Sequence, residues 1–281
     1  MVYIRSKSVK GDKYLYLVKS IWDSKKNTSK QEIIKYLGKA TQVKTEDIPI
    51  DYRNDPKITV FLSTHAGDNI KKTEALIAKT RDHLFNSMTK GDLDKSLDIY
   101  DSYMKNSTLN NFFDDILKPT MYKIGDLWDA GKLAIASEHV ASNIAREMVG
   151  IISDKNNKNG NKARVLLCTP AGEEHSIGCQ MLQSFLQSKG FRVFNLAPSA
   201  PSETIMSFID MENPDIVMVS ITIEDNIKAG QRLVNKIKSN YNLPVLVGGQ
   251  AVFDSKYKFD GSIVCDQPID KIPRLIKENI K

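Results

Sequence analysis

Residues 164–188 read RVLLCTPAGEEHSIGCQMLQSFLQS, which is a short apolar run followed by a polar turn and an amphipathic stretch. The run at 165–167 is typical of a buried parallel strand, and the apolar positions after Ile177 recur with the period of a helix. A strand that feeds a helix through a short turn is the repeating unit of a doubly wound α/β sheet. Ligands of such sheets lie beyond the carboxyl ends of the strands, so the turn at 168–176 is the first candidate site.

The same alternation continues to the end of the chain. Helical stretches at 177–188, 203–211 and 227–239 separate the strand candidates. These candidates are 164–169, 192–196, 216–222, 245–247 and 262–264. We therefore predict that residues 162–281 form a five-stranded, doubly wound parallel sheet of the flavodoxin-like or Rossmann-like kind.

The preceding segment, 71–155, has helical periodicity throughout. Gly91 and Gly131 lie between helix candidates, at positions typical of helix ends. The candidates are 71–89, 92–105, 108–129 and 133–153. Short loops favour antiparallel neighbours, so we predict a four-helix bundle that caps the sheet domain.

The first 48 residues alternate aromatic and aliphatic residues with polar ones. Two such runs, 2–7 and 14–19, flank a turn at 10–13, and a third run at 32–37 ends at Gly38. This pattern predicts a small three-stranded antiparallel domain that is marginal alone and rests on another part of the chain. Residues 49–70 are interpreted as a linker, and the fold class is α/β plus α.

The positive charge is concentrated near the N-terminus. Residues 1–50 contain 11 Lys or Arg against five Asp or Glu, and the remaining residues contain 29 of each sign. The whole net charge of +6 therefore lies in the first 50 residues. Such an excess is typical either of a surface for a nucleic-acid or protein partner or of a solvated lysine-rich surface.

Several classes of protein are disfavoured by what the sequence lacks. It has no run of about 18 apolar residues and no apolar N-terminal stretch, so we expect no membrane span, no signal peptide and a cytoplasmic location. Cys168, Cys179 and Cys265 lack metal-site spacing and are expected to be reduced and buried or incidental. Because no nucleophile elbow, phosphate loop or paired acid/base carboxylate occurs, we do not expect an autonomous enzyme.

The turn after the first sheet strand lacks the Gly-x-Gly-x-x-Gly pattern of a dinucleotide site. Instead His175 stands where a ligand is expected to lie. A neutral imidazole is a good metal ligand, and a carboxylate on its other nitrogen orients the ring and raises its basicity. Glu173 is well placed for that role. An isolated histidine here would more often be an ordinary surface residue.

The histidine is part of a longer pattern. Glu173-x-His175-x-x-Gly178 resembles the Asp-x-His-x-x-Gly signature of cobalamin-binding domains, with Glu in place of Asp. The resemblance continues at Ser220-Ile221-Thr222, where the family has Ser-x-Leu, and at Gly248-Gly249. It implies that the benzimidazole tail of B12 leaves the cobalt and that His175 binds the metal in its place. Gly178, Gly248 and Gly249 would leave a slot for the tail, Ser220 would hydrogen-bond it, and Thr222 would line it.

A second candidate site lies in the helical segment. Trp128 is predicted to end one helix, because Gly131 is a good C′ residue, and Glu138-His139 comes early in the next. The turn between them allows the three side chains to converge, and the small residues around them leave room for a bulky group. Those residues are Ala134, Ala136, Ser137, Ala141 and Ser142. Read separately, Trp128 fits a bundle core equally well, and Glu138-His139 fits a solvated helix face.

Trp-x9-Glu-His directly before a cobalamin domain resembles the CarH-type photoreceptors, over about residues 72–280. The resemblance implies that Trp128, Glu138 and His139 contact the adenosyl group of adenosylcobalamin, that light is the signal, and that the chain is a homo-oligomer, a dimer or a tetramer. Two features depart from the family. Asp129 follows Trp128, where relatives often have a second cobalt-binding histidine, and residues 1–50 show strands in place of a winged helix-turn-helix.

Two other functions use the same lower site. A corrinoid protein that carries methyl groups between methyltransferases would bind methylcobalamin through the same sheet and the same His175. A cobalamin carrier or storage module would do so as well. The discriminating feature is the Trp128, Glu138 and His139 set, because a methyl group does not need it.

Overall fold

The structure is a computed structural model that describes residues 2–9, 12–23, 28–40, 43–65, 70–158, 160–254 and 257–280. By their contacts the residues divide into two compact units, Met1–Ala141 and Ser142–Lys281. The expected N-terminal sheet and most of the helical segment share the first unit, whereas the parallel sheet lies in the second. The expected turn residues Lys10 and Gly11 lie outside the described part of the chain.

The N-terminal strands form as predicted. Strands β1 (Val2–Val9), β2 (Asp12–Asp23) and β3 (Thr28–Lys39) make an antiparallel sheet in the order β1-β2-β3. Leu15 and Leu17 point to one face and are completely buried, as the two-residue period of a strand requires. That face is the inner side of the first unit.

A helix covers this inner face. Helix α1 (Pro56–His65) lies within residues 49–70, the segment that we expected to be a linker. Its residues Ile58, Phe61 and Leu62 are buried in the same apolar cluster as the strand leucines. The expectation that the small sheet rests on another part of the chain is therefore met by α1, and 56–65 is a structural element rather than a linker.

The helical segment closely follows the expected boundaries. After α1 come α2 (Ile70–Met88), α3 (Leu93–Met104), the single turn α4 (Leu109–Asn111), α5 (Lys118–Asp129) and α6 (Ile135–Asn156). Asp92 caps α3 by accepting a hydrogen bond from the backbone N–H of Lys95 at 3.0 Å. α6 contributes residues to both compact units.

The helix expected at 108–129 is continuous but contains a π-helical segment, Phe112–Leu117. Pro119 follows it and has no N–H to donate to the carbonyl of Asp115, four residues earlier. Arg81 of α2 donates a hydrogen bond to that carbonyl at 2.5 Å instead. The irregular turn is thus explained by a proline, and the carbonyl left without a helical partner is satisfied from a neighbouring helix.

Polar and aromatic contacts join the helices of the first unit. Ser96 donates to Ser87 at 2.9 Å between α3 and α2, and Lys123 of α5 forms a 2.7 Å ion pair with Asp82 of α2. The ring of Phe112 is completely buried and packs edge-on against Tyr100 with 5.0 Å between the ring centroids. These contacts fix α2, α3 and the 109–129 helix relative to one another.

The second unit contains the predicted parallel sheet. Its strands are β4 (Arg164–Cys168), β5 (Arg192–Asn195), β6 (Ile216–Ser220), β7 (Val245–Gly248) and β8 (Ile263–Val264). They pair in the order β5-β4-β6-β7-β8, all parallel. This is the flavodoxin-like order, in which the chain reverses its direction of travel across the sheet next to β4.

A helix follows each strand along the chain. Because helices of this kind cover both faces of a parallel sheet, its strands have continuous apolar sequences. The helices are α7 (Ile177–Ser188), α8 (Ser202–Glu212), α9 (Ile227–Asn240), α10 (Gln250–Asp254) and α11 (Ile272–Asn279). Leu166, Val217 and Val245 of the sheet are buried in one cluster with Val234 and Ile237 of α9. In the described residues, no helix combines the length and the apolar character that a membrane span requires.

Candidate functional site

The turn between β4 and α7 is a fixed structure. Gly172 has a φ of +90°, a conformation that glycine adopts without steric cost. The Thr169 hydroxyl donates to the carbonyl of Glu173 at 3.1 Å, and Ser199 in the loop after β5 donates its N–H to the Thr169 hydroxyl at 2.7 Å. The Ser199 hydroxyl in turn accepts from the Gly172 N–H at 2.9 Å. Two loops at the carboxyl ends of neighbouring strands therefore hold each other in place.

Glu173 and His175 form the pair expected from the sequence. The Glu173 side chain is completely buried, whereas that of His175 is 53% exposed. Glu173 Oε1 lies 2.7 Å from His175 Nδ1 and also accepts the backbone N–H of His175 at 3.1 Å. The carboxylate thus fixes the ring through Nδ1, the geometry that orients a histidine for metal binding through the other nitrogen.

The second oxygen of the same carboxylate reaches the segment after β6. Glu173 Oε2 accepts hydrogen bonds from the Thr222 N–H at 2.9 Å, the Ile223 N–H at 3.1 Å and the Asn226 side-chain amide at 3.1 Å. Burial alone would raise the pKa of the Glu173 carboxyl. The hydrogen bonds from His175 and from the 222–226 segment outweigh burial and lower that pKa from 4.5 to about 2. The carboxylate is therefore ionised at neutral pH.

Asn226 was not found by sequence reasoning. It lies four residues after Thr222, just before α9, and its amide also donates to the carbonyl of Gly172 at 3.3 Å. It therefore binds both the carboxylate and the turn that carries it. The only sequence signal was its place at the carboxyl end of β6, beside the Ser-x-Thr motif.

The small residues of the motif have different structural roles. A Cβ on Gly178 would meet no atom of the protein within 4 Å, so the space beside this residue is open. A Cβ on Gly249, which has a φ of +108°, would overlap the backbone of Ile221. Gly249 is therefore required by the fold itself, and Gly178 is the glycine beside open space.

Ser220 and Gly248 are brought together by the sheet, where they are partners in the β6–β7 pairing. Burial raises the pKa of the Cys179 thiol to about 12, although the Ser220 hydroxyl acts in the opposite direction. All three cysteines are buried, and none forms a disulfide. The set Glu173, His175, Ser220, Thr222, Gly248 and Gly249 thus lies at the carboxyl ends of β4, β6 and β7 or directly after them.

These residues fit a cobalamin. The open space beside Gly178 would accept a ligand chain, and His175 offers a partly exposed imidazole that a buried carboxylate holds through Nδ1. The imidazole nitrogen of histidine is a common ligand of transition metals such as cobalt.

Trp128, Glu138 and His139 lie in the other compact unit. α5 ends at Asp129, and Gly131 has a φ of +67°, so the predicted helix end is confirmed. The N–H groups of Lys132 and Leu133 both donate to the carbonyl of Leu127, at 2.7 and 3.0 Å, which closes the turn before α6.

Large apolar side chains are exposed in and after this turn. Trp128 is 46% exposed, and Ile135 and Val140 at the start of α6 are 61% and 39% exposed. Glu138 Oε2 lies 2.6 Å from His139 Nδ1, and the Glu138 side chain is only 21% exposed. Trp128 is therefore not a residue of the helical core, and the same stretch of chain carries exposed apolar side chains and a polar pair.

Comparison with known proteins matches both the parallel-sheet unit and the helical segment to B12 binding domains. Residues 163–263 match a family model described as B12 binding domain, and residues 80–153 match a second model of a B12 binding domain. The first match covers β4–β8 without the end of the chain, and the second covers most of the helical segment.

Two curated relatives come from Myxococcus xanthus. The chain is 28% identical over 141 residues to the HTH-type transcriptional repressor CarH, which covers 50% of this chain and 47% of that protein. It is 27% identical over 139 residues to the HTH-type transcriptional repressor CarA, which covers 49% of this chain and 46% of that protein. The matches therefore span about half the length of each relative.

Among solved structures, the monomethylamine corrinoid protein of Methanosarcina barkeri has the same fold. It superposes with a TM-score of 0.58 at 12% sequence identity, over 69% of this chain and 96% of that chain. The comparisons support the cobalamin cofactor that the motifs predicted.

Proposed function

From the premise that this chain is a B12-binding protein resembling the CarH-type family, we propose that it is a light-responsive adenosylcobalamin sensor. In the proposed state, His175 would hold the cobalt, and the open space beside Gly178 would receive the benzimidazole tail. The cofactor would supply a light-sensitive cobalt–carbon bond, and the protein would change its assembly in response to light. The chain would act as a binding regulator without an enzymatic activity of its own.

The lower site supports the binding mode. His175 is held through Nδ1 by a carboxylate that stays ionised at neutral pH, which favours metal binding through Nε2. The protein's contribution is to orient this ring and to provide, through Glu173, the negative charge beside it. Thr222 and Asn226 keep that carboxylate in place.

The observation that carries the adenosyl assignment is the exposure of Trp128, Ile135 and Val140 in the same stretch of chain as the Glu138–His139 pair. Adenosine has an apolar ring face and polar edges. An indole can stack on such a face, and a carboxylate and an imidazole can hydrogen-bond the edges. We propose that α2, α3, the 109–129 helix and α6 form the four-helix cap that presents these residues. A dimer or tetramer of the chain would be the assembled state.

The alternative is a corrinoid methyl carrier. Asp129 favours it, because this residue follows Trp128 at the position where photoreceptor relatives often have a second cobalt-binding histidine. A methyl carrier would bind methylcobalamin at the same lower site and would have no use for Trp128.

The test uses the full chain reconstituted with adenosylcobalamin in darkness. Absorption spectra and size-exclusion profiles are recorded before and after green light, for the wild type and for Trp128→Ala. The other tryptophan provides the matched control, Trp22→Ala, because Trp22 is also exposed but lies in β2. The proposal expects dark binding and a change of assembly on illumination, with both reduced in Trp128→Ala alone. Cobalamin binding without any change of assembly under light would favour the methyl carrier.

A further inference from the structure

The N-terminal sheet has a second face that is turned away from the apolar cluster. Cross-strand partners lie on the same side of an antiparallel sheet. Because Leu15 and Leu17 face inward, their neighbours Tyr14 and Tyr16 lie on the other side of the sheet with their own partners. Val18 follows on the same side and is itself buried. We call this outer side the aromatic face. Its rows are Lys7–Tyr14–Lys39, Arg5–Tyr16–Tyr36, Tyr3–Val18–Ile33, Ser20–Gln31 and Trp22–Ser29.

The charge on the aromatic face has one sign. Arg5, Lys7 and Lys39 are its cations, and none of the positions in its five rows holds an acidic residue. The face belongs to the first 50 residues, which carry the whole net charge of +6. Charge complementarity therefore selects an anionic occupant.

The rings on the aromatic face are available for stacking. Tyr36 is 52% and Trp22 63% exposed, and the ring centroids of Tyr16 and Tyr36 lie 5.1 Å apart. The Arg5 guanidinium donates to the Gln31 side chain at 2.6 Å, which ties β1 to β3 across the face. The cations occupy the first two rows, beside the Tyr16 and Tyr36 rings, and Trp22 lies at the other end of the face. Exposed aromatic rings next to cations match the platforms on which successive unpaired bases stack.

These two properties together distinguish the occupant. A duplex presents phosphates but hides the faces of its bases, and an acidic protein segment offers charge without planar rings. Of these three occupants, an unpaired strand is the one that offers both phosphates and exposed base faces along its whole length. We propose that the aromatic face binds single-stranded nucleic acid, with its phosphates on Arg5, Lys7 and Lys39 and its bases on Tyr16, Tyr36 and Trp22. This inference is independent of the cofactor and of the response to light.

The test measures fluorescence anisotropy of labelled oligothymidylate and of a mixed-sequence single-stranded RNA with the full chain. Tyr36→Ala is expected to weaken binding by roughly 5- to 150-fold, which is the usual effect of removing one stacking ring. Tyr36→Phe keeps the ring and should bind like the wild type. Arg5→Gln should reduce the slope of log affinity against log salt by about 0.7, the effect of one lost phosphate contact on a single strand. Trp128→Ala, in the other candidate site, should leave binding unchanged.

The same titrations distinguish the other occupants. Binding of a DNA duplex or of polyglutamate as tightly as the single strands, with no effect of Tyr36→Ala, would reduce the face to a charged surface and overturn the proposal. Failure of both single strands to bind at low salt would overturn it as well. Tyr36→Phe and Arg5→Gln keep the proposal testable if Tyr36→Ala does not fold.

Discussion

Glu173 Oε1 lies 2.7 Å from His175 Nδ1, and the other oxygen of the same buried carboxylate receives hydrogen bonds from the segment after β6. One side chain therefore connects the proposed cobalt ligand to the carboxyl end of the neighbouring strand. The cobalamin signature has Asp at this position, and Glu173 is longer by one methylene. In this chain the longer side chain also accepts hydrogen bonds from Thr222, Ile223 and Asn226.

The Glu173 carboxylate is expected to stabilise the fold even without cofactor. In Glu173→Gln one carboxylate oxygen becomes an NH2 group, so the N–H donors either of Thr222 and Ile223 or of His175 lose their acceptor. A pKa lowered from 4.5 to about 2 corresponds to roughly 3 kcal/mol of unfolding free energy at neutral pH. Urea denaturation of the cofactor-free protein at pH 7 measures the loss. Glu174→Gln, an exposed neighbour, is the control.

This stabilisation should depend on pH in one direction. The pKa of Glu173 is lower in the folded protein than in the unfolded chain, so its contribution is complete above about pH 4.5 and is lost as the pH falls toward 2. The difference in unfolding free energy between the wild type and Glu173→Gln should therefore shrink between pH 6 and pH 3. A difference that stays constant over this range would contradict the assigned pKa.

Asn226 is predicted to position the proposed cobalt ligand through Glu173. Asn226→Ala removes one hydrogen bond to the carboxylate and one to the Gly172 carbonyl. Loss of such a partner typically weakens metal affinity by about 10- to 100-fold. The measurements are the cobalamin dissociation constant and the nitrogen hyperfine pattern of the cob(II)alamin-loaded protein with 15N-labelled histidine. Asn235→Ala, an exposed residue of the same helix α9, should change neither.

Gly178 and Gly249 should respond differently to substitution. Gly178→Leu fills open space next to a helix start, so the cofactor-free protein should keep its stability within about 1 kcal/mol while cobalamin affinity falls at least about tenfold. Gly249→Ala instead introduces overlap with Ile221 at a positive φ and should reduce the unfolding free energy by about 1–3 kcal/mol without cofactor. Thermal denaturation and cobalamin titration distinguish the two. Unchanged cobalamin affinity in Gly178→Leu would place the tail elsewhere.

The parallel sheet could be predicted from the sequence because its strands are buried on both sides and therefore have continuous apolar sequences. Strands β4 to β8 begin and end within two residues of the predicted positions. Helix α1 was harder to find, since Ile58, Thr59 and Val60 are β-branched and its apolar run follows two proline-containing turns. Only its packing against Leu15 and Leu17 explains why it is helical.

Within the site, the pair Glu173 and His175 could be predicted because they lie two positions apart in one turn. Asn226 could not, because it lies 53 positions after Glu173 and no local pattern indicates their hydrogen bond. The role of Gly249 also needed the structure. Its missing side chain makes room for the backbone of Ile221, a contact that only the pairing of β6 with β7 creates.

A titration in darkness measures whether this chain selects the adenosyl form of its cofactor. Adenosylcobalamin and methylcobalamin are each titrated into the wild type, Trp128→Ala and Trp22→Ala, and binding is followed by absorption. We expect the wild type and Trp22→Ala to prefer adenosylcobalamin by about tenfold or more and Trp128→Ala to lose this preference, since a stacked aromatic group contributes about that much. Equal or tighter binding of methylcobalamin by the wild type would rule out selection of the adenosyl form and favour a methyl carrier or a storage module.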